Sequence, residues 1–336
     1  MATATGLNLD SAELKKSIER FQSVREDILT QVRQVIVGQE DVLDQILLSL
    51  FVGGHCLITG LPGTAKTLMV RTISQTLGLV FKRIQFTPDL MPADITGTDI
   101  IEEDPTTGHR RWTFVPGPIF GNIVLADEIN RTPPKTQSAL LEAMQELSCT
   151  VRGNHYKLPA PFFVLATQNP IELEGTYPLP EAQLDRFLLK IKINYPSADE
   201  EMTILEKHNG QSSLADTSQV EITSIEGDAL QQARRELREL KLEPTLLRYI
   251  SEIARRTRSW PSVSLGASPR AAISLMLVAK ALAALNDRDY VIPDDVKAAA
   301  LPALRHRIVL RPEAELEGFD SDRVLTDVLA AVEVPK

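Results

Sequence analysis

The segment Gly60-Leu61-Pro62-Gly63-Thr64-Ala65-Lys66-Thr67 limits the fold of this chain more than any other stretch of its sequence. It follows the apolar run His55 to Thr59 directly and leads straight into the helical residues Leu68 to Leu77. A strand, a glycine-bearing turn and a helix in succession make half of a βαβ unit, so the rest of the chain must supply parallel neighbours for the strand. Gly60 and Gly63 leave the backbone free to turn consecutive N–H groups inward around an anion. The GxxxxGK[ST] pattern of phosphate-binding loops is met except at Ala65, where the second glycine usually stands; a single methyl is compatible with the turn. In such a loop Pro62 and Thr64 complete the cradle, Lys66 reaches the β and γ phosphates, and Thr67 holds magnesium through its hydroxyl. A lysine in the first helical turn otherwise opposes the helix dipole, which favours a bound anion over a bare Gly-Pro turn.

The expected neighbours are present. Val80-Gln85, Ile123-Ala126, Phe162-Thr167 and Phe187-Ile193 read as strands, and near-continuous apolar runs separated by helices imply a parallel sheet covered on both faces. The fold class is therefore α/β. Ahead of the sheet, Leu14, Ile18, Phe21, Val24, Ile28 and Val32 recur at helical spacing, predicting an amphipathic helix over Ser11 to Gln34. Beyond Pro196 and Ser197 the text turns to helices rich in Ala, Leu, Arg and Glu with no convincing strand, which sets a domain boundary there. Gly210 to Gly227 is polar and reads as a weakly structured surface loop.

Several polar residues fall where chemistry on a phosphate needs them. The run Ile123-Val124-Leu125-Ala126 ends in Asp127 and Glu128, the first placed to hold magnesium and the second to polarise an attacking water. Two acids at a strand end are alone an ordinary surface turn; parallel strands beside the phosphate loop bring them to the same sheet edge. Asn169 follows the next strand and can hydrogen-bond both the water and the γ phosphate, although an asparagine before a proline is by itself a turn residue. Arg186 stands just before Phe187-Ile193, where a guanidinium can spread charge onto a neighbouring subunit's phosphate; the competing reading is an ion pair with Asp185 or Glu181. Ser268 and Pro269 open a helix as N-cap and first residue, and Arg270 at that positive end suits a bound anion better than bare solvent. Ile36, Val37 and the Gly38 backbone can pack on an adenine, and core packing explains them almost as well. Gln85, at a strand end, is placed to restrain Glu128.

Composition narrows the class. With 336 residues the chain accommodates about two domains. A net charge of −9 argues against a nucleic-acid coat, which needs a basic surface. Arg110-Arg111, the group Arg255, Arg256 and Arg258, and the run Arg305-His306-Arg307 read as solvated helical faces. Cys56 and Cys149 suggest neither a disulfide scaffold nor a zinc site, and no apolar stretch approaches the ~18 to 20 residues of a membrane span, so a reducing cytoplasm is expected.

Gly60 to Thr67, Ala126 to Arg131, Ala166 to Pro170, Gln183 to Phe187 and the phrase from Pro133-Pro134-Lys135-Thr136-Gln137 to Glu146 together resemble the MoxR family of AAA+ ATPases, over roughly Glu13 to Leu310. An alanine at position 65 is typical of that family. The resemblance implies an AAA+ P-loop core with a parallel five-stranded sheet between helices, followed by a smaller all-helical lid domain. Residues 1–34 would be an N-terminal helix, 35–196 the core and 197–336 the lid. Gly97 to Val115 resembles an insert in helix 2, and Ser148 to Pro159 a hairpin before sensor 1, with Gly153-Asn154 as its two-residue turn. The implied site has Lys66, Glu128, Asn169 (sensor 1), Arg186 (arginine finger) and Arg270 (sensor 2) in catalysis. Val37, Gly38, Gly60, Pro62, Gly63, Thr64, Ala65, Lys66, Thr67 and Asp127 bind ATP, and Thr67 with Asp127 binds Mg2+. The implied activity is ATP hydrolysis in a ring, expected to be a hexamer, coupled to chaperone-like remodelling or metal-cofactor insertion, with a client protein and a von Willebrand factor A domain partner. A nucleotide-gated assembly module and a magnesium-chelatase-like subunit or nucleic-acid motor are the competing expectations.

Overall fold

The computed structural model describes residues 11–61, 63–103, 109–169, 175–209 and 229–335. Helices α1 (Ser11–Val35) and α2 (Glu40–Val52) lead into β1 (His55–Gly60) and α3 (Lys66–Thr76). Then come β2 (Phe81–Gln85), α4 (Pro92–Thr96), the hairpin β3 (Gly97–Glu103) and β4 (Arg110–Pro116), and β5 (Ile123–Asp127). A single 3-10 turn, α5 (Pro134–Glu146), a second hairpin of β6 (Ser148–Val151) and β7 (Asn154–Lys157), β8 (Phe163–Gln168), α6 (Glu181–Leu184) and β9 (Phe187–Ile193) follow. The remainder holds α7 (Ala198–His208), α8 (Ala229–Glu239), α9 (Pro244–Arg258), β10 (Val263–Leu265), α10 (Pro269–Leu285), α11 (Pro293–Leu304), β11 (Val309–Leu310), α12 (Pro312–Leu316) and α13 (Ser321–Ala331).

Five strands form one parallel sheet in the order β2-β5-β8-β1-β9. Because side chains alternate along a strand, each strand feeds two cores. Cys56, Ile58, Ile123, Leu125, Phe163 and Leu165 face the layer of α1, α2 and α3, while Leu57, Val124, Ala126, Val164 and Ala166 face α4 and α5. The first core continues through β9 into α10 and α11, so sheet and C-terminal helices share apolar packing. Helix α1 belongs to it as well: Phe21, Ile28, Leu29 and Val32 are buried, and the Phe21 ring meets Phe51 edge-on at 4.4 Å. Among the described residues, no helix is long and apolar enough to cross a membrane.

Three sequence expectations need correction, and the loop expected at 210–227 lies outside the described residues. The C-terminal region carries a small antiparallel ribbon of β10 and β11; strands of three and two residues are too short to leave a period in the sequence. In the second hairpin, Val151 pairs with Asn154, so the two-residue turn is Arg152-Gly153, with φ of 47° and 84°, rather than Gly153-Asn154. A turn of that hand needs positive φ at both central residues, and Arg152 adopts it at some cost while its guanidinium lies 4.4 Å from the Trp112 ring centroid. Phe114 stacks on Tyr156 at 3.9 Å, joining the two hairpins. Finally, Arg305-His306-Arg307 is no solvated face: His306 and Arg307 are buried against the start of β9.

His55 shows how the sheet is pinned to its covering helix. Its Nδ1 accepts from the Val164 amide at 3.0 Å and its Nε2 lies 3.2 Å from the Met144 carbonyl, a pairing that only the neutral ring with a proton on Nε2 can make. Burial pushes its pKa down to about 4. A depressed histidine pKa means that the stabilisation is intact above pH 6.5 and is lost as pH falls toward 4, by about 3 kcal/mol in all. Chemical denaturation of wild type and His55→Gln, which can keep one donor and one acceptor without titrating, should show their stability gap closing by that amount between pH 7 and 4. A gap independent of pH would contradict this reading.

Candidate functional site

The carboxyl ends of β2, β5, β8 and β1 open onto one cavity of about 580 Å³. It is lined by Gly60, Gly63, Thr64, Ala65, Lys66 and Thr67, with Asp127, Glu128, Thr167, Gln168 and Asn169 alongside. Apolar Val35, Ile36, Val37, Pro196 and Ile204 also line it. Four cations, Lys66, Arg71, Arg83 and Lys207, line it together with two carboxylates, Asp127 and Glu128, and Arg83 is bonded directly to Asp127. A ligand with an apolar part and several negative charges matches that mixed lining.

The loop owes its shape to its glycines and to one strained alanine. Gly63 has φ of 80°, and a Cβ on Gly60 would lie 2.6 Å from the Ile193 carbonyl. Ala65 itself takes φ of 56°, so the methyl is tolerated at a cost of about 1–2 kcal/mol rather than accommodated freely. The Thr64 hydroxyl donates to Leu61 O at 3.0 Å, and Lys66 Nζ donates to Gly60 O and Leu61 O at 3.1 and 2.7 Å. Burial lowers the Lys66 pKa, while Asp127 and Glu128 pull it back up. Pro62 lies outside the described residues.

A network that sequence patterns did not reveal holds the acids. Buried Thr167 donates from Oγ1 to Asp127 Oδ1 at 2.6 Å and accepts from the Glu128 amide at 2.9 Å. Arg83 grips Asp127 Oδ2 at 2.6 Å, and its guanidinium also donates to Gln85 Oε1 at 2.7 Å. Gln85 in turn donates to Glu128 Oε2 at 2.7 Å, and Arg131 pairs with the same oxygen at 3.1 Å. Glu128 has φ of 56°, an unfavourable backbone for its residue type that the Thr167 contact secures. The juxtaposition of Gln85 and Glu128 expected from their strand-end positions is thus present. Arg83 and Thr167 left no sequence signal beyond being polar residues at or near a strand end.

The remaining candidates lie apart. Gly38, with φ of 67°, does not line the cavity; its missing Cβ makes room for the Glu200 carboxylate, which closes a capping box with Ser197. Arg186 lies outside the cavity, half-buried, and forms no ion pair among the described residues; Asp185 beside it pairs with Arg307 instead. Arg270, exposed in the first turn of α10, also lies outside it, with Ser268 capping the helix through Ala271 N at 3.2 Å.

Residues 55–189 match the family model of the ATPase family associated with various cellular activities (AAA), and residues 255–328 match the AAA lid domain. YeaC of Bacillus subtilis, an uncharacterized protein, is 48% identical over 90% of this chain and 92% of its own. Chaperone MoxR1 of Mycobacterium tuberculosis is 41% identical over 93% of this chain and 82% of its own. Protein MoxR of Paracoccus denitrificans is 31% identical over 84% and 87%. The crystal structure of a proposed ATPase from Cytophaga hutchinsonii superposes with a TM-score of 0.85 at 40% identity, covering 97% of this chain and 100% of that one. Near-full-length likeness to these proteins, on a parallel sheet whose glycine-bearing loop, acids and asparagine edge one cavity, makes this chain a member of the MoxR family of AAA+ ATPases.

Proposed function

We propose that the chain is a magnesium-dependent ATPase that works as a hexameric ring and spends ATP on chaperone-like remodelling of a client protein or on inserting a metal cofactor into one. The observation that carries the catalytic part is the meeting of Lys66, Thr67, Asp127, Glu128 and Asn169 in one cavity that apolar residues also line. In this reading the inward amides of residues 60–67 and Lys66 bind the phosphates, and Val35, Ile36 and Val37 pack on the base. Glu128 takes up the proton of the attacking water, and Asn169 orients that water against the γ phosphate. The donor set of one hydroxyl and one carboxylate, Thr67 and Asp127, suits Mg2+, which takes its other ligands from phosphates and water and supplies charge neutralisation when bound. Thr167 keeps the Asp127 carboxylate aimed, and Gln85 keeps Glu128 drawn toward β2.

Family membership supports an oligomer, since AAA+ proteins typically oligomerise, and the ring is the form proposed for it. Arg186 lies outside its own chain's cavity, which suits a residue acting on the next subunit's phosphate, and Arg270 is proposed to read the γ phosphate as the C-terminal helices close. The name of the relative Chaperone MoxR1 favours a client-remodelling role. A partner with a von Willebrand factor A domain is added by the family resemblance.

Glu128→Gln should bind ATP as wild type does and lose turnover by a hundredfold or more, on the order of what one general base contributes. Arg186→Ala should leave ATP binding in place and cut turnover by on the order of a thousandfold. A pair of variants with undiminished phosphate release would reject the proposal, and slow wild-type turnover combined with ATP-dependent oligomers would favour a nucleotide-gated assembly module instead. Thr167→Val should lower stability by about 1–3 kcal/mol in chemical denaturation, because the Glu128 amide and the Asp127 carboxylate both lose a partner, whereas Thr167→Ser should recover most of it. Equal stability of wild type and the valine variant would show that the network is not held as described.

A further inference from the structure

The buried basic run at the end of α11 meets the chain where Arg186 is presented. Asp185 lies between the end of α6 and Arg186, and it receives contacts from two separate places in the C-terminal helices. Its Oδ1 is 2.9 Å from Arg307 Nε, and its Oδ2 accepts from Ser268 Oγ at 3.0 Å. Arg307, only 2% exposed at its side chain, also donates to Asp185 O at 3.3 Å, Phe187 O at 2.7 Å, Leu188 O at 3.4 Å and Ala303 O at 2.8 Å. His306 Nε2 adds a contact to Phe187 O at 3.0 Å. Arg186 is therefore held from both sides: residues 185 and 187 are bound by the C-terminal helices, while its own side chain makes no ion pair among the described residues.

Ser268 is the other half of the connection. It is the N-cap of α10 and stands two residues before Arg270, and its one hydroxyl both accepts from Ala271 N and donates to Asp185. The two links to Asp185 differ in kind. Arg307 makes an ion-pair contact to the carboxylate from Nε and hydrogen-bonds the backbone carbonyls of Asp185 and Phe187, which fixes the chain, whereas Ser268 offers a single hydrogen bond that a small shift of α10 can make or break.

We propose that Asp185, tied firmly to Arg307 and exchangeably to Ser268, is a positioning residue that couples the start of α10, and with it Arg270, to the placement of Arg186. It would carry nucleotide state from one subunit to the site that its Arg186 serves in the next. The proposal rests on the reading of the chain as a ring in which Arg186 acts between subunits. It identifies a physical connection between the two arginines: a carboxylate next to one of them and a hydroxyl two residues from the other.

Ser268→Gly tests this without threatening the fold, because glycine caps a helix nearly as well as serine but has no hydroxyl to donate. The variant should bind ATP within about twofold of wild type and hydrolyse it about tenfold more slowly, the consequence of one misplaced charge-assisted hydrogen bond. The decisive readout is a mixing curve with Glu128→Gln subunits. Wild-type turnover should fall more steeply than the fraction of inactive subunits added, while turnover of Ser268→Gly should fall in proportion to it, and Ser268→Thr should restore the steep curve. A steep curve in both wild type and Ser268→Gly overturns the coupling alone. A proportional curve in wild type overturns the ring reading together with it. Loss of thermal stability that tracks the loss of turnover in Ser268→Gly would show a merely structural contact and would also overturn the proposal.

Discussion

The parallel pairing of β5, β8 and β1 decides where Lys66, Asp127, Glu128 and Asn169 can go. Parallel neighbours end on the same edge, so the phosphate loop after β1, the acids closing β5 and the asparagine after β8 meet without any long-range contact having to be arranged separately. The pairing is in turn secured by burial on both faces, because alternate residues of each strand feed two cores. Loss of either core would slide or splay the strands and pull the edge groups apart, which ties the apolar packing directly to the chemistry proposed for the site.

At that edge, two adjacent carboxylates would make a poor site unless each were held. Thr167 and Arg83 fix Asp127, while Gln85 and Arg131 engage Glu128, so the acids are aimed by hydrogen bonds rather than left to rotate. The strained backbone at Glu128 fits the same view. An unfavourable φ persists where surrounding contacts determine it, and here the Thr167 hydroxyl holds the amide while β5 fixes the residue before it.

Much of this was legible in the sequence, for physical reasons that also explain what was not. Strands buried on both faces must be apolar, so the inner strands β5, β8 and β1 stand out as apolar runs, whereas β2 at the sheet edge carries exposed Lys82, Arg83 and Gln85; the cap at Ser268 announces its helix. The phosphate loop carries its own conformational signature in Gly60 and Gly63. Arg83 and Thr167 gave no such sign, because their roles depend on β2 and β8 both flanking β5, a fact of sheet order rather than of local pattern. The run 305–307 misled for a related reason: three basic residues look solvated until Asp185, more than a hundred residues earlier in the chain, is seen to neutralise one of them. The turn of the second hairpin was misplaced by one residue because a single glycine fits either central position, and only the pairing of Val151 with Asn154 decides between them.

The central claim is that a nucleotide binds at the turn from β1 into α3, with Lys66 as its main electrostatic contact. Isothermal titration of wild type and Lys66→Ala with ATP and magnesium tests it most directly. Saturable binding by wild type, weakened by at least about tenfold in the alanine variant, is the predicted result, since a lost charge-assisted contact is worth that much or more. Absence of binding by wild type, or equal affinity in the two proteins, would contradict the account.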